Sequence, residues 1–174
     1  MNKALFLDRD GVVNIEVNYL YKIEDFEFVD GILELCKYYR DNGYSIFIVT
    51  NQSGIDRGYY SEHDFNLLTA WMVDEFAKNG IEIKKVYFCP HHPDISFECN
   101  CRKPNPGMIL EAQKEFDIDL KNSVLIGDKE SDIEAALSAG ILESYLFDEK
   151  KIYKETKATK IVSKLEEIYS ADTK

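Results

Sequence analysis

The chain has 174 residues, of which 45% are hydrophobic and 30% are charged, and its formal net charge is −11. This size and composition are typical of one globular domain that buries its own core, so we expect a single domain over residues 1–174. The acidic charge argues against nucleic acid as a partner, because binding to a phosphate backbone needs a basic surface.

Apolar runs and helical spacings alternate along the sequence. The apolar runs predict strands at residues 4–7, 45–50, 84–89, 123–128, 143–147 and 160–162. The helical spacings predict helices at residues 31–42, 62–78, 106–116 and 131–139, and a last helix after residue 163. Three of these helices are followed by glycines that act as stop signals, namely Gly43, Gly80 and Gly140.

Three of the helix starts carry capping signals. Ser61 with Asp64 has the spacing of a capping box for the second helix. The pair Asn105–Pro106 suits the N-cap and first position of the third helix. Ser163 with Glu166 has the same capping spacing before the last helix.

The alternation of strands and helices predicts an α/β fold, a doubly wound parallel sheet with helices on both faces. In such sheets, ligands bind outside the carboxyl ends of the strands. Polar or metal-binding residues follow four of the predicted strands: Asp8 and Asp10, Thr50 and Asn51, the Cys/His segment 89–101, and Asp128 and Lys129. The sequence therefore predicts a binding site at this edge. The charged tract 148–160 is expected to be the least ordered part.

The stretch LFLDRDGVV places two carboxylates, Asp8 and Asp10, one residue apart at the end of the first strand. A carboxylate can attack phosphorus and form an aspartyl-phosphate. That reaction needs Mg²⁺ to neutralise charge and a second acid to protonate the leaving oxygen. Aspartate and glycine are also common turn residues, so the stretch alone leaves a turn and a catalytic site both open.

Other strand ends can supply the remaining groups. The hydroxyl of Thr50 and the amide of Asn51 can hold phosphoryl oxygens, and Lys103 can balance the charge of a phosphoryl group. Asp128 can complete an oxygen-rich Mg²⁺ site with Asp8. Each residue also has an ordinary interpretation, such as a strand–turn junction, a surface lysine or an acid at a helix N-terminus. Their positions at successive strand ends favour one shared site.

Four motifs resemble, in chain order, those of the haloacid-dehalogenase superfamily of phosphohydrolases: DRDGVVN, VTNQSG, RKPNPGM and IGDKESD. The resemblance covers residues 3–147. Within the superfamily, the combination FLDRDG, TNQSGIDRG, CPHHP and CxCRKPxPGM is similar to the heptose 1,7-bisphosphate phosphatases, with histidinol-phosphate phosphatases as the nearest competing relatives. The resemblance implies a cytoplasmic, Mg²⁺-dependent phosphatase that removes the C7 phosphate of a heptose bisphosphate, in the synthesis of nucleotide-activated heptose for surface polysaccharide.

The resemblance also implies roles for single residues. Asp8 matches the nucleophile and Asp10 the general acid/base. Asp8, Asp128 and the backbone carbonyl of Asp10 match the Mg²⁺ ligands. Thr50 and Lys103 match the groups that stabilise the phosphoryl group.

Further positions match contacts to the substrate, a small phosphorylated sugar. Arg102 matches the residue that recognises the distal phosphate. The other matching positions are Glu16, Val17, Asn18, Tyr19, Asn51, Gln52, Ser53, Lys103 and Lys129. The chain reads EVNY where relatives often have His or Gly before the Tyr. It has no room for a separate cap domain, so the loop 54–60 and the Cys/His segment are expected to form the walls of the cleft.

The segment 89–101 contains two closely spaced ligand pairs, Cys89 with His91 and Cys99 with Cys101. Three cysteines and one histidine form a recognised tetrahedral zinc sphere, and four protein ligands make such a zinc structural. A disulfide, or a cysteine nucleophile with a histidine base, is also compatible with the spacing. Resemblance to the zinc loop of the family favours Zn²⁺ and His91 as its ligand, with His92 outside the sphere.

Targeting and assembly signals are absent from the sequence. No apolar run approaches the roughly 18 residues of a membrane span, and the N-terminus lacks a signal-peptide pattern. We therefore expect a cytoplasmic protein that does not bind membranes. No exposed strand or helix looks unusually apolar, so we expect a monomer. A catalytically silent module that only binds a phosphorylated ligand is the alternative from a different functional class.

Overall fold

The computed structural model of the chain describes residues 2–170. Its six strands are, in chain order, β1 (Lys3–Leu7), β2 (Tyr44–Asn51), β3 (Ile83–Cys89), β4 (Val124–Gly127), β5 (Glu143–Phe147) and β6 (Lys160–Val162). They form one sheet in the order β3-β2-β1-β4-β5-β6, and every pairing is parallel. The predicted doubly wound parallel sheet is confirmed.

Helices cover both faces of this sheet. They are α1 (Ile32–Asp41), α2 (Glu62–Lys78), α3 (Gly107–Phe116), α4 (Glu130–Ala139) and α5 (Glu166–Tyr169), with 3-10 turns at Ile23–Asp25 and Leu120–Asn122. Leu5 and Leu7 of β1 pack on the face covered by α1, α2 and α5. Ala4 and Phe6 pack on the face covered by α3 and α4. Because alternate residues of a strand point to opposite faces, a fully apolar run is what a strand buried on both sides requires.

The capping signals were predicted correctly in one case and incorrectly in two. The Ser61–Asp64 capping box starts α2 as expected. The N-cap of α3 is Pro106 and not Asn105, whose side-chain amide instead donates to the carbonyl of Cys99 at 2.7 Å. Ser163 does not cap α5, whose N-cap is Leu165; its backbone N–H and hydroxyl instead donate to Glu167 Oε1.

The tract 148–160 contains no helix or strand before β6 begins at Lys160, but its chain is attached to the sheet layer. The carboxylate of Asp148 accepts from the backbone N–H groups of Ile152 and Tyr153. Glu130, in the first turn of α4, accepts from Thr156 and from the backbone of Lys157. Side chains therefore anchor this tract at several points, and its lower order stays a prediction. Among residues 2–170, no helix combines the length and the apolar character needed to cross a membrane.

The strand order changes direction between β1 and β4, and this point differs from the rest of the sheet edge. From β1 the chain passes outward to β2 and β3, and it then returns to the other side of β1 as β4. The loops after β1 and β4 therefore diverge at their carboxyl ends and leave a crevice, which is where open α/β sheets bind ligands.

Candidate active site and zinc loop

A cleft of about 480 Å³ lies at this point of the sheet edge. Loops that follow β1, β2, β3 and β4 all contribute to its walls. Among the predicted site residues, those that line it are Asp8, Asp10, Glu16, Val17, Asn18, Tyr19, Asn51, Gln52, Ser53, Arg102, Lys103 and Lys129. Of the other predicted residues of this site, Thr50 accepts from Gln52 of the lining, and Asp128 lies beside Asp8 and lines a neighbouring cavity.

Three carboxylates meet at the base of the cleft. Asp8 follows β1, Asp128 follows β4, and Asp132 lies in the first turn of α4; one oxygen from each lies within 4.8 Å of the others. Gly11 makes this approach sterically feasible, because a Cβ there would lie 2.2 Å from an oxygen of Asp128. Its φ of +92° also belongs to the region that favours glycine.

Burial and mutual repulsion shape the ionisation of this cluster. Burial, followed by the charge of Asp132, raises the pKa of Asp8 well above its usual range. The same two causes raise the pKa of Asp128 to about 6. Such carboxylates gain most from a nearby cation, because a positive charge favours their ionised form.

Lys103 supplies one cation from within the protein. Its ammonium lies 2.7 Å from Asp8 Oδ1 and 2.7 Å from Asp132 Oδ1, and it also donates to the carbonyl of Val49. Burial by itself would lower the pKa of Lys103, but the carboxylates of Asp132 and Asp8 raise it above its ordinary value. The lysine therefore stays charged beside the predicted nucleophile.

The carboxylate cluster fits a divalent cation. Asp128 Oδ1 is buried and has no hydrogen-bond partner among the described residues. Both oxygens of Asp132 are occupied, one by Lys103 and the other by the backbone N–H groups of Asp128 and Lys129. Asp8 and Asp128 therefore have oxygens for a hard cation such as Mg²⁺, whereas Asp132 holds the lysine and the turn after β4.

The carboxylate of the second predicted acid, Asp10, accepts five hydrogen bonds from three side chains, one of them from Arg9 Nε to Oδ1 at 3.3 Å. Its Oδ1 accepts from Arg9 at 2.9 Å and from Asn14 at 3.1 Å. Its Oδ2 accepts from Arg9 at 3.1 Å and from Gln52 at 2.9 Å. Arg9 is only 1% exposed and also donates to the carbonyl of Leu20. The carboxylate of Asp10 is thus fixed at the side of the cleft.

The residues at the end of β2 are oriented differently from one another. Thr50 is buried, and its hydroxyl oxygen accepts from Gln52 at 2.8 Å. Asn51 uses both ends of its side-chain amide on the backbone of Lys103, at 3.0 and 3.1 Å. The contacts of Asn51 therefore join β2 to the loop that carries Lys103, a role that the sequence did not predict.

The rim of the cleft is formed by long side chains with exposed ends. Lys129 lies 3.8 Å from Glu16, and both side chains are about half exposed. Arg102 donates to the carbonyl of His91 at 3.3 Å. Tyr19, with a φ of +57°, packs against the ring of Tyr59 at 4.4 Å. These groups surround the opening to which a substrate would extend.

A second ligand cluster lies beside the cleft in the loop after β3. Its members are Cys89, His91, Cys99 and Cys101, and their ligand atoms lie within 4.8 Å of one another. All three thiols are free, with Sγ–Sγ distances of 2.8 to 3.5 Å, so no disulfide forms among them. Three thiols and one imidazole are the donor set of a closed tetrahedral zinc site.

His92, the neighbour of His91, points away from this cluster. Its Nε2 lies 2.7 Å from the guanidinium of Arg57, and its backbone N–H donates to Asp56 at 2.6 Å. Asp56 also accepts from the hydroxyl of Ser96. The Cys/His loop 89–101 and the loop 54–60 are therefore joined to each other. Gly54 and Tyr60 line the cleft, whereas the Cys/His loop reaches it only through Arg102 and Lys103, which follow it, so the expectation that this loop forms a wall was wrong.

Two residues of the site were not predicted from the sequence. Asp132 is visible in the motif IGDKESD, four positions after Asp128, but an acid in the first turn of a helix has an ordinary explanation as a capping residue. Arg9 lies between the two predicted acids, and its charge gave no sign that it would be buried. Its only signal was its position inside the motif DRDG.

Comparisons with known proteins agree with this geometry. A HAD-hydrolase-like family model matches residues 100–167. The chain is 57% identical over 149 residues to a D-glycero-alpha-D-manno-heptose-1,7-bisphosphate 7-phosphatase of Campylobacter jejuni, covering 86% of this chain and 84% of that protein. It is 47% identical over 143 residues to a D-glycero-beta-D-manno-heptose-1,7-bisphosphate 7-phosphatase of Yersinia pestis, covering 79% and 76%.

A solved structure is similar over almost the whole chain. The D,D-heptose 1,7-bisphosphate phosphatase from B. bronchiseptica, complexed with magnesium and phosphate, superposes with a TM-score of 0.85 at 28% identity. The match covers 98% of each chain. Because coverage is nearly complete on both sides, neither chain carries a large additional domain relative to the other.

Proposed function

The chain belongs to the heptose-1,7-bisphosphate 7-phosphatases, a family of haloacid-dehalogenase-like hydrolases, and from this we propose its reaction and the roles of its residues. The reaction is the Mg²⁺-dependent removal of the C7 phosphate of D-glycero-D-manno-heptose 1,7-bisphosphate, in the synthesis of nucleotide-activated heptose. The observation that supports it best is the buried contact of Asp8 with Lys103 beside the unpartnered oxygen of Asp128.

In the first step, a carboxylate oxygen of Asp8 attacks the phosphorus of the C7 phosphate. A bond forms between that oxygen and phosphorus, and the bond from phosphorus to the sugar oxygen breaks. Asp10 donates a proton to the departing sugar oxygen, which leaves as the alcohol. Lys103 and the hydroxyl of Thr50 stabilise the charge on the phosphoryl oxygens.

In the second step, water attacks the aspartyl-phosphate and releases inorganic phosphate. Asp10, now ionised, takes the proton of the attacking water, so both steps use the same side chain. Asp8 is regenerated as a carboxylate, and its contact with Lys103 favours that form. The proton balance closes over the two steps.

A Mg²⁺ ion bound by Asp8, Asp128 and the backbone carbonyl of Asp10 would neutralise charge on the phosphoryl group. Asp132 positions these ligands indirectly, through Lys103 and the turn after β4. Burial of Asp8 and Asp128 without enough cationic partners is what makes their positions suitable for a bound ion.

The remainder of the substrate extends toward the rim. Arg102 is assigned to the phosphate at the far end of the sugar, because its guanidinium can pair with two phosphate oxygens. The segment 16–19, the residues 51–53 and Lys129 surround the sugar. The contacts found for Gln52 and Asn51 restrict how these two side chains can take part.

Zinc bound at Cys89, His91, Cys99 and Cys101 is assigned a structural role. Four protein ligands fill a tetrahedral sphere and leave no open position for substrate. The two cations of the cleft wall, Arg102 and Lys103, follow the last ligand directly. Zinc therefore holds the loop that presents them.

We further propose a preference for the α-anomer of the bisphosphate, which is supported by the higher identity to the relative named for that anomer. The proposal also includes that the protein is a monomer, that it consists of a single domain and that it is located in the cytoplasm. A reducing compartment suits the three free thiols of the zinc loop.

The test is phosphate release, with Mg²⁺, from three substrates compared side by side: the α-bisphosphate, the β-bisphosphate and histidinol phosphate. We expect kcat/KM to be about tenfold higher for the α-anomer than for the β-anomer, and lowest for histidinol phosphate. A higher kcat/KM for histidinol phosphate would assign the chain to that reaction. Ligand binding without turnover of any of the three would instead identify a silent binding module.

A further inference from the structure

Gln52 lies in a motif that matches substrate contacts, yet its side chain is directed into the protein. It is 2% exposed. Its Nε2 donates to Asp10 Oδ2 at 2.9 Å and to Thr50 Oγ1 at 2.8 Å. Its Oε1 accepts from the hydroxyl of Tyr60 at 2.5 Å. Both N–H groups and the carbonyl of the amide therefore have partners within the protein.

We propose that Gln52 and Tyr60 are positioning residues for the phosphatase reaction, and that together they orient the carboxylate of Asp10 and the hydroxyl of Thr50. This inference rests on the proposed function, because it concerns how that reaction is arranged. It reassigns Gln52 from substrate contact to an internal link, and it adds Tyr60, which the motifs did not mark.

Asp10 and Tyr60 together favour one orientation of the Gln52 amide. A primary amide has a donor end and an acceptor end, and a half-turn exchanges them. After such a turn, the carbonyl oxygen of Gln52 would face a carboxylate oxygen of Asp10, and two acceptors would meet. The hydroxyl of Tyr60 favours the observed orientation, because it supplies the proton that Oε1 accepts. Burial raises the pKa of Tyr60 to about 12, so the hydroxyl keeps this proton across the neutral range.

The orientation of the amide determines what Thr50 can do. Its hydroxyl oxygen already accepts from Gln52, so the O–H proton is not used in that contact. It remains available to donate to a phosphoryl oxygen. With the amide reversed, Thr50 would donate to Gln52 and present only lone pairs to an anionic group, which would be unfavourable.

Gln52 also connects Asp10 to the end of β2 by a hydrogen bond. Arg9 and Asn14, the other donors to Asp10, come from the same turn as Asp10 itself. Gln52 comes from the end of the neighbouring strand, 42 positions along the chain. It is therefore the link that fixes the distance between the predicted acid and the phosphoryl-binding end of β2.

The experiment is a double-mutant cycle with Tyr60→Phe and Gln52→Met, assayed on heptose bisphosphate with Mg²⁺. Tyr60→Phe keeps the ring, which stacks on Tyr21, and removes only the hydroxyl. We expect kcat to fall about fivefold to tenfold with KM within about twofold, because the lost hydrogen bond acts on catalytic groups and not on the substrate. Gln52→Met should lower kcat more, by about 30-fold or above.

The decisive quantity is the coupling between the two changes. If Tyr60 acts through Gln52, the double variant should have nearly the kcat of Gln52→Met alone. Tyr87→Phe is the matched control, because it removes another buried tyrosine hydroxyl, one that donates to Glu115 at 2.7 Å outside the cleft. Its kcat should equal that of the wild type.

Three results would overturn the inference. The first is additive losses in the cycle, and the second is a wild-type kcat for Tyr60→Phe in an active enzyme. The third is no activity in the wild type, which removes the proposed function and this inference with it. If Gln52→Met does not fold, as judged by its thermal transition, a comparison of kcat between Tyr60→Phe and Tyr87→Phe still tests the inference.

Discussion

The two candidate metal sites of this protein are assembled in opposite ways. The zinc ligands Cys89, His91, Cys99 and Cys101 come from one short loop and are partly exposed apart from Cys89. The carboxylates Asp8 and Asp128 come from two strands that are far apart in sequence and adjacent in the sheet. One site therefore organises its own loop, whereas the other exists only when the sheet has formed.

The energetic consequences differ in the same way. Without a metal, the main loss at the zinc site is the constraint on the loop. The carboxylates are buried like charges, and one lysine, Lys103, offsets only part of their repulsion. The zinc loop should therefore contribute to stability, and the carboxylate cluster should reduce stability in exchange for reactivity.

The replacement Asp8→Asn tests this contrast with the largest expected effect. It removes the nucleophile, so kcat should fall at least about a thousandfold. Because it also removes one of three crowded charges, the Mg²⁺-free protein should be no less stable than the wild type. Phosphate release and urea unfolding check the two parts. Asp74→Asn on the exposed side of α2 is the control and should change neither. Appreciable turnover by Asp8→Asn would exclude the aspartyl-phosphate route.

The replacement Cys99→Ser should mainly lower stability, whereas Asp8→Asn mainly lowers activity. It removes one of four zinc ligands, so the bound zinc should fall well below one equivalent and Tm should drop by about 10 °C. Activity should fall too, because Arg102 and Lys103 follow the zinc loop. Metal analysis and thermal unfolding measure these changes.

The control for that experiment is Cys36→Ala, which changes a buried thiol of α1 outside the zinc loop. It should cost some stability and leave the zinc content unchanged. A Cys99→Ser protein with full zinc and an unchanged Tm would show that the cluster is not a structural zinc site.

The contrast between the two sites also explains how much the sequence could reveal. The zinc ligands are close in sequence, so their residue types raised the hypothesis, and the resemblance to the zinc loop of the family favoured it over a disulfide. The fold was predictable because β1, β2 and β4 are apolar on both faces, as buried parallel strands must be. Roles assigned by motif to the strand-end residues stay predictions, although the structure brings those residues to one cleft.

What the sequence did not contain was the pairing of distant polar groups. Asp132 contacts Lys103 across the sheet edge, and neither residue type signals the other. The orientation of the Gln52 amide depends on where Tyr60 is placed by its loop. Asn105 looked like a helix cap because its residue type and the following proline fit that role. Its side-chain amide instead donates to the carbonyl of Cys99. Such choices depend on three-dimensional neighbours.

A smaller effect is expected in the pH dependence of the Mg²⁺-free protein. Burial and Asp132 raise the pKa of Asp128 from 3.8 to about 6 in the folded state. The fold therefore favours the protonated form, and the associated stability is present below about pH 4 and is lost as the pH rises through about 6. Over this window, the free energy of unfolding should fall by on the order of 1–3 kcal/mol relative to Asp128→Asn.

Urea unfolding at several pH values, with chelator present, measures this difference. Addition of Mg²⁺ should abolish the decline, because a bound cation favours the ionised carboxylate. A wild-type protein whose stability parallels that of Asp128→Asn at every pH would mean that the cluster is not strained by its charges, and the contrast with the zinc loop would lose its energetic basis.

The smallest effect concerns which of two adjacent histidines is a zinc ligand. His91 contacts the sulfurs of the cluster, whereas His92 lies against Arg57 of the neighbouring loop. His91→Ala should therefore lose zinc, and His92→Ala should retain one equivalent and lower the free energy of unfolding by only about 1 kcal/mol. Zinc analysis of the two variants separates them directly. Because the backbone N–H of His92 still donates to Asp56 after the replacement, the Cys/His loop and the loop 54–60 should stay joined and KM should change little. Loss of zinc from His92→Ala would move the ligand by one residue and would place the imidazole of His91, and not that of His92, outside the metal sphere.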